Sequence, residues 1–452
     1  MKAATDTHRH SETARQSVHI AMGGCALLLR YLEWWQAAIL AGAAFAFNWY
    51  VLPRMAGARL YRSVHEARRL QTGILFYPLS VALLILIFRD RLDIAAAAWG
   101  ILAAGDGMAT LVGRAVGGAR VPWNTEKTIA GTTAFCVFGG LAGMALALWC
   151  RPIVMPPAYL WFSIAAPIAA AAAAALVETI PVRLDDNISV PFAASAVLWA
   201  LSLASEAGLA QVAARAVEAG PAAVVLNTLV AAAGYAARTV SVSGAIGGAL
   251  IGAVIFTAAG WQGWVLLMAA FLAASISSRL GLRRKSLLGI AEERGGRRGV
   301  GNAVANTGVA AAAALMAVTT YGEEPAMVAF VAALAAGGSD TVASEIGKAW
   351  GKRTWSVVTF KKVPAGTSGA VSVEGTAAGL GAAAGLALLA AALGLIRLKF
   401  VVPVIAAATL ASFVESALGA TLERPGVLNN DMLNFLNTAC AAWLAIAIAG
   451  VM

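Results

Sequence analysis

The chain is 452 residues long, 60% hydrophobic and only 12% charged, with a mean hydropathy of +0.77. Soluble domains carry about 25% charged residues, so a water-soluble enzyme is excluded. The formal net charge is +10, and because the basic residues gather in a few loops it reads as the cytoplasmic Lys/Arg excess of a membrane protein, with no nucleic-acid partner expected.

In chain order, the first seventeen residues are polar, with His8, Arg9, His10 and Arg15. They lack the apolar run and small-residue cleavage site of a secretory signal, so the first spanning helix is expected to be retained. Apolar runs then predict about fifteen spans, near 18–31, 33–52, 72–88, 93–112, 129–149, 158–177, 190–208, 220–237, 242–259, 263–280, 302–318, 326–338, 369–395, 400–420 and 435–452. Several are rich in Ala and Gly, which suits close helix packing inside a bundle. The expected fold is an all-α, polytopic transmembrane helical bundle in two related modules, residues 1–210 and 211–452. Cys25, Cys136, Cys150 and Cys440 lie scattered in apolar stretches, without metal-ligand or disulfide spacing.

With the N-terminus placed in the cytoplasm and sides alternating, four basic loops share the cytoplasmic face. They carry Arg54, Arg59, Arg62, Arg68 and Arg69; Arg114, Arg120 and Lys127; Arg283, Arg284, Lys285, Arg294, Arg297 and Arg298; and Lys348, Lys352, Arg353, Lys361 and Lys362. A multi-pass protein of a prokaryotic cytoplasmic membrane is the expectation.

A loop pattern occurs twice. Asp106 precedes Gly113 by seven residues and Lys127 by 21; Asp340 precedes Gly347 by seven and Lys361 by 21. Arg114 and Lys348 follow the glycines, and Ala-Gly-Thr follows each lysine, at Ala130–Thr132 and Ala365–Thr367. Glu178 lies 72 residues after Asp106, and Glu415 lies 75 after Asp340. Asp185-Asp186-Asn187 follows the first glutamate, and Asn429-Asn430-Asp431 with Asn434 the second. Such a repeat suits a transporter as well as a two-site enzyme, so residue chemistry must decide.

Each copy combines a carboxylate, glycines, basic residues and hydroxyls. Glycine allows backbone N–H groups to approach phosphate, Lys and Arg neutralise it, and an aspartate at a helix end can hold Mg²⁺ against it. Glu178, Asp186 and Asn187 could complete an oxygen shell. The bland alternative pairs each aspartate with Arg114 or Lys348 at a helix end. Upstream, Glu12, Arg15 and His19 share one helical face, either as an interfacial anchor or as groups meeting phosphate or the acceptor hydroxyl. The polar loop from Arg283 to Asn306, with Glu292 and Glu293 as counter-charges, offers Lys285, Arg297 and Arg298 to phosphate or is simply solvated. Asn302 and Asn306, one turn apart, could line a polar site. No Walker-type P-loop is present.

At these residues the first half resembles the phytol kinase and dolichol kinase family of CTP-using lipid kinases, related to phosphatidate cytidylyltransferases. The matching stretches are RQSVHIAMG, GILFYPL, AAGDGMATLVGR, PWNTEKTIAGT and VETIPVRLDDNISVP, over about residues 12–200. The second half is similar to the phytyl-phosphate kinase family and its membrane relatives, through SVSGAIGGALIG, GRRGVGNAVANTG, GGSDTVASEIGK, VPAGTSGAVSVEGT and FVESALGATLE, over about 222–450. GTSGAV stands there in place of a Gly-Thr-Asn-Gly-Gly-like run. The resemblance implies CTP and Mg²⁺ dependence at Asp106, Arg114, Lys127 and Glu178. It also implies consecutive steps: a prenol such as phytol, geranylgeraniol or farnesol to its monophosphate, then to the diphosphate.

The residues expected to carry the chemistry are Asp106, Lys127, Glu178, Asp340, Lys361 and Glu415, the four acids as metal ligands. Arg15, His19, Gly105, Arg114, Asn124, Thr128, Asp186, Asn187, Arg297, Asn306, Lys348, Lys362, Gly366, Thr367 and Asn434 are expected to bind nucleotide or prenyl substrate. The rival expectations are a phosphatidate cytidylyltransferase-like CDP-lipid synthase, whose C-terminal Lys-Asp and His-Gly-Gly run is missing here, and a repeat-built lipid transporter without nucleotide turnover.

Overall fold

The computed structural model describes residues 13, 15–56, 64–290, 297–423 and 425–451. Glu12, Arg59, Arg62, Glu292, Glu293 and Arg294 lie outside them. The chain divides into two compact units, Met1–Ser202 and Leu203–Met452.

In the first unit a helical segment over 15–30 precedes α1 (Trp34–Arg54), α2 (Val64–Ile87) and α3 (Leu92–Val116). A two-stranded hairpin follows, β1 (Arg120–Val121) antiparallel to β2 (Asn124–Thr128). Then come α4 (Ile129–Ile153), α5 (Leu160–Glu178) and α6 (Asp186–Ser202). The second unit opens with α7 (Glu206–Glu218), α8 (Gly220–Ala236), α9 (Val242–Arg279) and the short α10 (Leu282–Leu287). It continues with α11 (Val300–Thr319) and α12 (Glu323–Trp350), then a hairpin of β3 (Thr354–Ser356) and β4 (Ala370–Ser372). Helices α13 (Val373–Ala392), α14 (Leu398–Glu423) and α15 (Asn430–Gly450) close it. Each unit thus places a hairpin after an aspartate-bearing helix and three further helices after the hairpin.

The helix bearing the repeated aspartate is the buried one in each unit. Leu92–Gly100 of α3 and Val328–Ser339 of α12 are entirely buried. Their Ala- and Gly-rich sequence explains this, since small side chains let backbones approach and maximise dispersion contacts where no hydrophobic drive separates helix from lipid. Outward positions are large and apolar: Leu250, Ile276, Leu388 and Trp443 are each more than half exposed, as a lipid-facing surface requires. The chain is an integral membrane helical protein. Among the described residues ten helices are long and apolar enough to span, or eleven if α6 and α7 form one broken span.

The span boundaries differ from the sequence expectation in instructive places. The expected span 190–208 is interrupted, because Ser205 caps α7 by accepting from the Gly208 N–H at 3.0 Å. The expected spans 72–88 and 220–237 correspond to shorter apolar helices, Gly73–Ile87 within α2 and Gly220–Ala236 (α8). Helix α9 has 38 residues, about 57 Å of rise, nearly twice a bilayer core. It breaks at Gly260 (φ 69°, ψ −173°), between the two spans expected there.

The repeated loops begin as helix. Gly105–Val116 belongs to α3 and Gly338–Trp350 to α12, so the glycines there pack helices and do not form a backbone cradle for phosphate. A Cβ on Gly113 would lie 2.8 Å from Thr128 Oγ1 and 3.4 Å from Gly131 Cα; on Gly347, 3.0 Å from Ser372 Oγ and 3.7 Å from Gly375 Cα. Thr128 caps α4 by accepting from the Gly131 N–H, and Ser372 caps α13 from Gly375, each at 3.1 Å. The two joints are the same. They align Gly131-Thr132 with Gly375-Thr376, not with Gly366-Thr367. Gly113 to Thr128 is 15 residues and Gly347 to Ser372 is 25, so the second hairpin is ten residues longer, and the equal 21-residue spacing to Lys127 and Lys361 is coincidental.

Candidate active sites

In the first unit three elements bring acids together. Asp106 ends a wide π-helical turn, Ile101–Asp106, within α3; such turns recur at functional sites. Glu178 is the last residue of α5 and Asp186 the first of α6. Carboxylate oxygens of the three lie within 4.8 Å of one another. Like charges this close repel strongly in a site shielded from water, so a neighbouring cation stabilises the cluster.

Lys127 supplies one. Its Nζ bonds Glu178 Oε1 and lies 3.3 Å from Asp186 Oδ2. The hairpin delivers it: Asn124 Nδ2 donates to the Thr179 carbonyl at 3.1 Å, and Trp123 Nε1 to Thr179 Oγ1 at 3.0 Å, clamping β2 to the end of α5. Burial alone would lower the ammonium's pKa, but the Asp186 and Glu178 carboxylates outweigh it and hold the pKa above the ordinary lysine range. Lys127 therefore stays charged at neutral and mildly alkaline pH.

His19 Nε2 approaches Asp106 Oδ2 at 3.5 Å. Its ring stands edge-on to Tyr77 at 4.7 Å, and Trp99 Nε1 donates to the Tyr77 hydroxyl at 2.8 Å. Asn187 Nδ2 donates to Asp185 Oδ1 at 2.8 Å, leaving Asn187 Oδ1 buried without a hydrogen-bond partner. One bridging ammonium among three acids, with an orphaned amide oxygen beside them, fits a divalent cation taking hard oxygen ligands. Asp106, Glu178 and Asp186 would hold it.

Asn124, Thr128 and Gly105 belong to the frame of the site. Asn124 and Thr128 are committed to the hairpin clamp and the helix cap. Gly105 packs against the Phe135 ring. Arg114 lies exposed in the last turn of α3, two turns beyond Asp106, and Arg15, exposed in the N-terminal helical segment, is near enough for its charge to act on Asp106 and His19.

The second unit holds a cavity of about 420 Å³ lined by Asp340, Ser344 and Lys348 of α12, Ser412 and Glu415 of α14, and the Gly366–Gly369 loop. Here Asp340 Oδ1 accepts from Ser412 Oγ at 3.0 Å. Glu345, one turn on, is fully buried; it bonds Lys285 Nζ with one oxygen and Lys348 Nζ at 2.8 Å with the other. Lys285, itself fully buried, also donates to the Ser278 carbonyl at 2.7 Å. Asp340, Lys348, Gly366, Thr367 and Glu415 are thus brought together, and Glu423 joins them at the rim.

Lys361 and Lys362 are not brought to this cavity. They are exposed in the inserted part of the hairpin, where the Ser356 N–H donates to the Lys361 carbonyl at 3.0 Å. Val371 occupies the place of Lys127. Arg297 is exposed, and Asn306 lines a separate, mostly apolar cavity of about 110 Å³ with Arg298 and Asn302. Asn434 is buried on α15.

Sequence reasoning missed Glu345, Ser412, Glu423, Tyr77 and Trp99 as site residues, and it offered Lys285 to phosphate where the structure buries it against Glu345. Glu345 carried a signal, standing three residues before Lys348 on one helix face. The pairing of Lys285 with Glu345 carried none, because the two stand sixty residues apart.

Fold and sites together define a polytopic membrane protein with an acid-and-lysine site in each of two helical units. The chain belongs to the integral membrane protein DUF92 family, whose profile matches residues 225–442. An uncharacterized membrane protein of Synechocystis is 41% identical over 205 residues, 44% of this chain and 78% of that protein. Protein VTE6, chloroplastic, of Arabidopsis thaliana is 35% identical over 213 residues, 46% of this chain and 64% of its own. A Glycine max chloroplast protein named probable phytol kinase 1 is 34% identical over 130 residues, 28% of this chain and 43% of its own length. No solved structure matches the chain.

Proposed function

We propose that the chain is a two-site prenyl-lipid kinase. In this reading the first unit transfers a phosphoryl group from CTP to a long-chain prenyl alcohol, and the second phosphorylates the resulting monophosphate to the diphosphate. The observation that carries it is the convergence of Asp106, Glu178 and Asp186 on one point with Lys127 across them. The relatives named phytol kinase support the lipid-alcohol acceptor.

Phosphoryl transfer asks little covalent chemistry of a protein; it asks for positioning and charge neutralisation. When bound, Mg²⁺ would neutralise the triphosphate and fix its orientation. Lys127 keeps a positive charge beside Glu178 and Asp186, and His19 sits where an acceptor hydroxyl could be oriented against Asp106. The acceptor oxygen forms a bond to the γ-phosphorus, the β,γ-bridging P–O bond breaks with its electrons on the nucleoside diphosphate, and the hydroxyl proton is released to solvent. In the second unit Asp340 and Glu415 take the acidic role and Lys348 the cationic one. Both sites face the cytoplasm in this reading, with the protein in a prokaryotic cytoplasmic membrane.

Purified protein incubated with geranylgeraniol, phytol or farnesol, Mg²⁺ and each nucleotide separately tests the proposal by product mass. The expected result is prenyl monophosphate and then diphosphate, with CDP released from CTP. Pyrophosphate release would point to CDP-lipid synthesis, and absence of turnover with every prenol would point to a transporter.

A further inference from the structure

Both units need the same donor chemistry, so a consistent difference between them at matching positions speaks of the acceptor. One such difference lies on the last helix of each unit. Leu184-Asp185-Asp186-Asn187 leads into α6, and Leu428-Asn429-Asn430-Asp431 leads into α15. In this register Val190 and Ala193 of the first unit correspond to Asn434 and Asn437 of the second. The first unit is apolar there, and Val190 is fully buried. The second presents two amides.

Asn430, Asn434 and Asn437 fall on one face of α15 by the i, i+4, i+7 pattern. Asn430 lines the 420 Å³ cavity. The depth of Asn437 follows from its neighbours. Thr438 Oγ1 donates to the Ala305 carbonyl at 3.0 Å, and the Cβ position of Gly337 is 2.9 Å from the adjacent Asn306 carbonyl. Asn437, next to Thr438, therefore lies at the depth of Ala305 and Asn306 on α11, about two helical turns along α15 from the cavity-lining Asn430. It is 1% exposed, and neither its Nδ2 nor its Oδ1 has a hydrogen-bond partner. A buried amide without partners costs stability, so its presence needs a reason. A ligand group supplies one.

Building on the two-site reading, we infer that Asn437, with Asn434 one turn above it, receives the phosphate of the lipid acceptor in the second unit. The amide N–H₂ donates to a phosphate oxygen beside Asp340, while the apolar wall at Val190 and Ala193 suits the first unit to an uncharged alcohol. The pair would make the second unit selective for a prenyl monophosphate over a prenol.

The test is equilibrium binding of geranylgeranyl monophosphate and of geranylgeraniol to the full-length protein in detergent, alongside diphosphate formation. Asn437→Ala should weaken monophosphate binding about tenfold or more, as loss of a hydrogen bond to a charged group does. Asn437→Asp, nearly isosteric but anionic, should weaken it further. Ligand-free Asn437→Ala should melt no lower than the parent, because the amide it removes has no partner. The assignment is overturned if both variants bind the monophosphate as tightly as the parent, or weaken alcohol and monophosphate binding alike. Failure of the parent to form diphosphate would instead sink the two-site reading, and the binding arm would still decide the assignment of Asn437.

Discussion

The two units share a frame and differ in where they put charge. Each has an aspartate on its most buried helix, a glycine two turns later against the capped start of the helix after the hairpin, and a glutamate on the next helix but one from the aspartate. In the first unit the hairpin itself carries the cation: Lys127 reaches Glu178 and Asp186, and the acids cluster tightly enough for a metal. In the second the hairpin is longer and carries Val371 at that place. The positive charge comes from Lys348 and, beneath it, Lys285, organised by a buried Glu345 that has no counterpart among the acids of the first site. A shared scaffold geometry does not dictate which element supplies the charge, and a change of supplier leaves room for a hydroxyl-lined cavity.

The largest effect should come from Asp106→Asn, which removes the central acid of the first site. Prenol phosphorylation, followed as CDP release, should drop about 1,000-fold, the scale set by losing one preorganised electrostatic group. Glu345→Gln should follow. It strands Lys285 in the bundle interior and should cost the second unit about 3–5 kcal/mol, seen as earlier unfolding in detergent; adding Lys285→Met should restore much of it. Lys127→Met should slow the first step about 100-fold while leaving monophosphate conversion near its parental rate. Thr128→Ala loses a helix cap worth about 1 kcal/mol and should lower the melting temperature slightly. Smallest of all, Lys361→Ala and Lys362→Ala should change either activity less than twofold; a strong loss would restore the alignment of Lys361 with Lys127 that the hairpin geometry rejects.

Much of this was legible in the sequence because composition and periodicity speak loudly in a membrane protein. The membrane class followed from the charge deficit, and Asp106, Lys127, Glu178 and Asp186 could be grouped because each stands where an apolar run meets a polar stretch. Reading Gly105–Val116 and Gly338–Trp350 as loops failed for a physical reason. Polar residues there are one face of a helix whose other faces are Ala and Gly, so local hydropathy falls while the helix continues. The misplaced Lys361 has a different cause: a ten-residue insertion in a hairpin preserves a spacing by chance, and only the Gly347–Ser372–Gly375 joint reveals the true register. Lys285 was read as a phosphate-binding residue because its burial against Glu345, sixty residues away, is encoded in no local pattern.

The most direct measurement assays Asp106→Asn and Asp340→Asn each with two acceptors, geranylgeraniol and geranylgeranyl monophosphate, under the same nucleotide and Mg²⁺. Independent sites require Asp106→Asn to lose the first reaction and keep the second, and Asp340→Asn to lose only the second. A folded variant of either kind that lost both reactions, or neither, would contradict the account.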